Sequence, residues 1–408
     1  MSRLIGLVII VALQLPAAAQ VAKNFTWYDQ ETYRLYLAQE WPQLIDIGEQ
    51  AIHHDHDYFY LRFSIGVAYY TLGKYRKAVT HFRKALQFNN GDPLTVEYLY
   101  YAFVFAGRTA DANITWEKYK KVLEQRDINS PNGFITGAYS EGGIKISSEN
   151  SDGVDNMSFF HAGIEQQLGA RINLYQGYSN VVPSLVVIQP IQSTGGGPPR
   201  TYLQETKYTF PQNEYYVRVN VPVLYGLSFN VSYHLQVLRD SLDNKFRNQG
   251  FEAGIKQSFQ AMDIYLGYAG SNINNSHQTQ VTGKLTIYPL DNSNLYLQGQ
   301  YTYHLDEKQV NNIYGLKIGG RLTAPLWLEG YGSYGGVKNF QEFEGFYLYN
   351  LPHKINYKFG ANGYVFIGQT VKISLGYMLE NKEQITESNT SFYQHYMFLG
   401  CTLNFNKR

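Results

Sequence analysis

The chain has 408 residues with 34 Lys and Arg against 33 Asp and Glu, room for two or three domains and no basic footprint for nucleic acid. Its 37 Tyr and 23 Phe stand against only 16% charged residues, an aromatic excess that suits a membrane barrel better than a soluble bundle. Cys401 is the single cysteine, so no intrachain disulfide can form, and it reads as a small hydrophobe on the apolar phase of the last strand.

The first 19 residues read as a signal peptide. Arg3 supplies the charge, Leu4 to Leu15 the apolar stretch, and Ala17-Ala18-Ala19 the small-residue site, with cleavage before Gln20. The stretch is short for a membrane anchor, the alternative reading, and no cysteine follows it to mark a lipoprotein. No other run of 18 apolar residues occurs, so no spanning helix is predicted.

Residues 25–126 carry a helical period and an internal repeat. A shift of 34 aligns Gly73 with Gly107, Ala78 with Ala112, Tyr69 with Phe103 and Phe82 with Trp116. The best copy, Phe59–Asp92, places Gly66, Tyr69, Gly73, Tyr75, Ala78, Phe82 and Ala85 where small residues let paired helices approach and large ones fill the groove. These positions resemble the tetratricopeptide (TPR) repeat. Three units, 25–58, 59–92 and 93–126, meet the minimum for a stable stack. His53-His54-Asp55-His56-Asp57 gathers ligand residue types, but adjacent positions point in different directions, and it reads as a polar linker with no metal or cofactor assigned.

Asp127–Gly133 is turn chemistry and marks a boundary, after which residues 134–408 have period two. Ser228–Val237 shows it best: Phe229, Val231, Tyr233, Leu235 and Val237 alternate with Ser228, Asn230, Ser232, His234 and Gln236. Fourteen strands are read, at about 134–146, 157–169, 170–190, 201–222, 224–240, 248–260, 262–274, 276–289, 294–308, 310–325, 326–343, 353–368, 369–384 and 388–406. A break at Pro183 leaves counts of 12 or 16 open. Short connections such as Leu168-Gly169-Ala170 alternate with longer ones, Ser147–Asn156, Gln192–Arg200, Asp240–Arg247 and Glu380–Thr390. That rhythm predicts an antiparallel transmembrane β-barrel with short periplasmic turns, preceded by a short α-solenoid in the periplasm: an α + β multidomain chain. A soluble β-sandwich would have shorter strands.

With the apolar phase facing lipid, the inward phase holds Arg171, Arg218, Lys256, Lys284, Lys317, Arg321, Lys354, Lys358 and Lys372 against Glu165, Glu252, Asp263, Glu329 and Glu380. This basic bias suits an anionic solute or polymer, while ionic pairs that hold the barrel shut are the competing reading. Tyr175, Tyr216, Tyr296 and Tyr331 serve equally as a stacking track for sugars or as filling. Ser232 and His234 share a face, but no nucleophile elbow accompanies them and no enzyme is predicted.

Gly400-Cys401-Thr402-Leu403-Asn404-Phe405 resembles the C-terminal signature read by the barrel-assembly machinery, through Gly400, Leu403 and Phe405. The order of signal, short TPR array and single barrel resembles the YaiO-type outer-membrane proteins and, in architecture, exporters of extracellular polysaccharides. Those exporters carry more repeats and a larger barrel. The resemblance implies a Gram-negative outer membrane, a periplasmic partner in the TPR groove, and a polysaccharide or other solute as cargo. The alternatives are a closed barrel used as an anchor or assembly platform, and a lumen enzyme.

Overall fold

The computed structural model describes residues 24–128, 133–148, 153–192, 201–239, 244–350, 353–383 and 390–405. The expected signal segment, much of the 127–133 boundary, residues 149–152, 193–200, 240–243, 351–352 and 384–389, and Asn406-Lys407-Arg408 lie outside them.

Among the described residues seven helices come first: α1 (Phe25–Leu37), α2 (Trp41–His53), α3 (Phe59–Thr71), α4 (Tyr75–Phe88), α5 (Pro93–Phe105), α6 (Thr109–Lys118) and α7 (Lys120–Glu124). Asn24 and Asp92 cap α1 and α5 with their side chains, each accepting an orphan first-turn N–H at 2.9 Å. Phe82 is fully buried and lies so close to Gly66 that a Cβ there would sit 2.6 Å from its ring. Ala78, Ala85 and Ala112 are buried at the other close approaches, and Tyr69 packs beside His81 at 5.4 Å. Gly73 and Gly107 both have φ +71°, the left-handed turn that ends the first helix of a pair and that glycine adopts without strain. His54 and His56 pack on the Tyr28 ring, at 6.1 and 5.5 Å.

Eighteen strands follow among the described residues: β1 (Ile135–Ser147), β2 (Met157–Leu168), β3 (Ile172–Val182), β4 (Ser184–Gln192), β5 (Thr201–Thr209), β6 (Gln212–Leu224), β7 (Leu227–Arg239), β8 (Lys245–Ser258) and β9 (Met262–Ile273). Then come β10 (Ser276–Ile287), β11 (Leu295–Asp306), β12 (Gln309–Arg321), β13 (Leu326–Val337), β14 (Phe340–Glu342), β15 (Tyr347–Tyr349), β16 (Ile355–Ile367), β17 (Val371–Glu383) and β18 (Ser391–Asn404). Fourteen form a closed antiparallel barrel, sealed where β1 pairs with β18 from Gly137–Asn404 to Ser147–Gln394. The remaining four make two small hairpins, β4–β5 and β14–β15. Three expected strands, 170–190, 201–222 and 326–343, each divide, the last into β13 of the wall and β14 of a hairpin. Pro183 has no N–H to give the ladder, so the wall stops at Val182 and β4–β5 pairs on its own.

The pleat separates the faces as expected. On β7, Phe229, Val231 and Tyr233 face outward and exposed, while Ser228, Ser232, His234 and Gln236 are buried inside. Leu316, Leu375 and Leu399 are likewise exposed on the outer face, as in a wall whose solvent is lipid.

The helices dock on one end of the barrel. The Arg76 side chain is 1% exposed and donates to Gln260 O (2.7 Å), Phe259 O (2.9 Å) and Asp263 Oδ1 (2.5 Å), over the Tyr288 ring at 3.9 Å. Asp111 accepts from Gly226 N at 2.7 Å, Phe103 stacks on Tyr225 at 5.5 Å, and Asn292 donates to Gly73 O at 2.9 Å. The β6–β7, β8–β9 and β10–β11 turns therefore form one seat.

Candidate functional site

The site begins with a connection that folds inward. After Val337 the chain leaves the wall, and β14–β15 enters the lumen before β16 returns at Ile355. Asn339, Phe343 and Glu344 have positive φ, as does Gly345, which tightens the hairpin.

Side chains of β6, β7 and β10 hold its backbone. Tyr216 OH and Ser232 Oγ donate to Glu344 O at 2.9 and 2.6 Å, and His234 Nδ1 donates to Gly345 O at 2.8 Å. His234 Nε2 faces Glu214 at 3.2 Å, and Gln236 donates to Leu348 O at 3.2 Å. Gln280 and Gln341 bond reciprocally, at 2.8 and 3.0 Å. Gly250 leaves room for Gln341, whose amide carbon would sit 2.6 Å from a Cβ there. Ser232 and His234 thus serve as anchors for the hairpin.

Charges fix its tip. Glu342 pairs with Lys358, and both meet the Tyr349 hydroxyl, at 2.8 and 2.7 Å. Glu344 lies between Arg218 (3.6 Å) and Lys284 (3.7 Å). Phe346 packs edge-on to Tyr216 at 5.2 Å and to His161 at 4.9 Å. Phe340 closes a small apolar contact with Ile313, Val337 and Ile355.

The hairpin leans on the β6–β10 wall and leaves a crescent opposite, a cavity of about 460 Å³. Its lining runs from the distal strand ends at Val181 and Gln212 to the helix-proximal ends at Ala138 and Thr402. Tyr175, Tyr331, Tyr364, Lys317 and Lys372 face into it. Lys372 sits over Tyr364 at 5.2 Å and Lys317 is 3.9 Å from Glu329. At the distal end Glu380 is buried between Lys145 (3.0 Å) and Lys382 (3.1 Å).

Arg218, Lys256, Lys284, Lys317, Lys358 and Lys372 thus stand on the inner phase. Three expected lumen cations do not. Arg171 is in the β2–β3 turn, paired with Glu117 of α6 at 2.7 Å. Arg321 folds onto the β12–β13 turn, donating to Ala324 O at 2.7 Å. Lys354 is at the distal rim with Glu383, at 2.7 Å. All three lie at or beyond strand ends, where the two-residue phase no longer aims a side chain. The basic bias also disappears: Glu141, Glu214, Glu342 and Glu344 enter the lumen, with Lys145 and Lys382 as the added cations. Tyr296 bonds Glu329, so of the expected aromatic track Tyr175 and Tyr331 line the crescent while Tyr216 spans it and the hairpin. Gly400 pairs with Glu141 and Ser374, and Leu403 and Phe405 are exposed at the helix-proximal end of β18. Among the described residues no group of three or more His, Cys, Asp or Glu is placed to hold a metal ion.

The barrel and the helices each have counterparts among solved structures. The Pseudomonas putida toluene transporter TodX matches 67% of this chain and 90% of its own at 9% identity and a TM-score of 0.45. A bacterial polysaccharide outer membrane secretin matches 67% and 100% at 9% identity and 0.39. MamA, over 26% of this chain and 62% of its own, matches at 18% identity and 0.24. At these identities and scores the likeness carries nothing about cargo or partner. No family model matches the chain, and no curated protein does.

Proposed function

We propose that the chain is an outer-membrane passage protein whose lumen is stopped by the hairpin β14–β15 and whose helices, in the periplasm, dock part of an envelope complex handling a polysaccharide. The observation that carries the reading is the crescent: a cavity of about 460 Å³ lined from both ends of the strands, alongside a hairpin held by side-chain bonds that can be exchanged. A wall filled for stability alone would not leave a ring-lined space of this height.

The docking part rests on the helices. Tyr70, Tyr98, Tyr101 and Phe105 form a contiguous aromatic row, with centroid spacings of 5.1 Å (Tyr70–Tyr98), 6.1 Å (Tyr70–Phe105) and 6.2 Å (Tyr101–Phe105). Such a face suits a protein partner with apolar anchors. In this layout residues 1–19 are removed on export, residues 25–126 are periplasmic, and Gly400, Leu403 and Phe405 are presented to the assembly machinery.

The test is planar-bilayer conductance of the full protein and of a form in which residues 340–349 are replaced by a short Gly-Ser turn. The full protein is expected to hold a closed or low-conductance state, and the shortened form to open a steady channel. A silent shortened form that still inserts would overturn passage and favour a closed membrane platform, the second reading, which the ion pairs at the hairpin tip support.

A further inference from the structure

The hairpin tip reads Glu342-Phe343-Glu344-Gly345-Phe346, carboxylates alternating with rings. The wall answers in kind. Among the described residues Arg218 and Lys284 make their ion pair with Glu344, and Lys358 makes its own with Glu342. The same cations lie over wall or hairpin rings: Arg218 over Tyr175 at 5.9 Å, Lys284 over Tyr265 at 4.7 Å, Lys358 over Tyr349 at 4.7 Å. The pattern continues into the empty crescent, where Lys372 lies over Tyr364 at 5.2 Å.

We infer that the hairpin occupies, as an internal stand-in, a binding site for an acidic saccharide chain of the uronic-acid type; the inference rests on the passage reading above. A sugar ring offers an apolar face to an aromatic side chain, and its carboxylate offers a partner to an adjacent cation. Ring and carboxylate together are what Phe346 and Glu344 supply to Tyr216, Arg218 and Lys284. Once the tip withdraws, the Lys358 side chain, only 3% exposed, and the Lys284 side chain, 14% exposed, each lose the carboxylate they pair with, and a buried charge favours a replacement partner. A neutral saccharide would stack but offer no replacement. Inorganic phosphate would offer one but leave the rings bare.

The experiment is calorimetric titration of the detergent-solubilised full chain with three probes: an oligogalacturonate tetramer, maltotetraose and inorganic phosphate. Glu342→Gln with Glu344→Gln weakens the stand-in and is expected to tighten the uronate by about tenfold over the parent protein, which is ~1.4 kcal/mol. Adding Arg218→Gln and Lys284→Gln removes that gain, and maltotetraose binding does not change in any form. An equal gain for maltotetraose or for phosphate, or no gain for the uronate, overturns the inference. Migration of the unboiled barrel on a denaturing gel reports that each variant is folded. A second readout uses the shortened form from the conductance test. There the uronate tetramer interrupts the current at lower concentration than maltotetraose. Equal block by both overturns the inference and leaves passage standing, whereas a silent channel counts against passage and leaves the titration to decide the site.

Discussion

The helical module and the barrel bury opposite chemistries. Between the helices Leu44, Ile65, Phe82, Val96 and Phe103 are all but fully buried, a conventional apolar core. Inside the barrel the residues equally hidden include Gln236, Thr302, His304, Glu380 and Lys382, and apart from small contacts such as that around Phe340 many of the large apolar side chains stand outside. The first region is held by the removal of apolar surface from water. In the second, ladder closure and the lipid solvent hold the wall, so the interior is free to carry polar groups provided they are paired. The contrast teaches that the barrel's filling, unlike the helices' core, can be altered without unmaking the fold.

Four expectations break or sharpen that contrast. The largest effect is on conduction: removing residues 340–349 should leave a heat-resistant barrel and open a channel, and loss of the barrel's compact migration would show that filling and wall are one unit. Next, Phe82→Ala should destabilise the helices by about 4 kcal/mol, read from helical circular dichroism in urea, with barrel migration unchanged. Arg76→Met should cost about 3 kcal/mol by leaving Asp263 and two carbonyls without their donor. Its readout is hydrogen exchange at the Arg76 amide, which donates to Asp291 O at 2.8 Å and should exchange about a hundredfold faster. The smallest concerns Glu49, whose carboxyl the hydrogen bond from His81 holds below the usual carboxylate value of 4.5. A lowered folded value gives stability that is fully present above pH 4.5 and is lost as pH falls through the folded value. Glu49→Gln should therefore lower the helices' stability slightly at neutral pH and leave it unchanged below the folded value, which flattens the acid side of the curve read by urea unfolding at pH 7 and pH 3.

Much of this was legible beforehand because both periods are local. The shift of 34 marked the close approaches at Gly66 and Phe82, and alternation along Ser228–Val237 marked inner and outer faces down to His234. The fourteen-strand barrel followed from counting such runs, although breaks at Pro183, at Phe210-Pro211 and after Val337 divided three of them. What escaped has no period. Residues 340–343 were read as the end of a wall strand, and nothing in the composition of 340–349 says that the segment turns inward; the alternation of Glu and Phe from Glu342 to Phe346 is the one available signal. Arg171 and Arg321 were misplaced because the phase was carried past the last paired residue. Arg76 was silent for another reason. Its partners lie more than 180 residues away and are mostly backbone carbonyls, which carry no residue identity to read.

The seat under the helices has a consequence for biogenesis. Tyr225, Phe259, Gln260 and Asn292 come from three separate turns, and they assemble into one surface only after β6 to β11 have taken their final register. The helices, made first, therefore have no complete seat until β6 to β11 are laid down. Docking then reports that these strands have reached their register: a barrel stalled short of it leaves the Arg76 guanidinium without its partners and the helices without a seat.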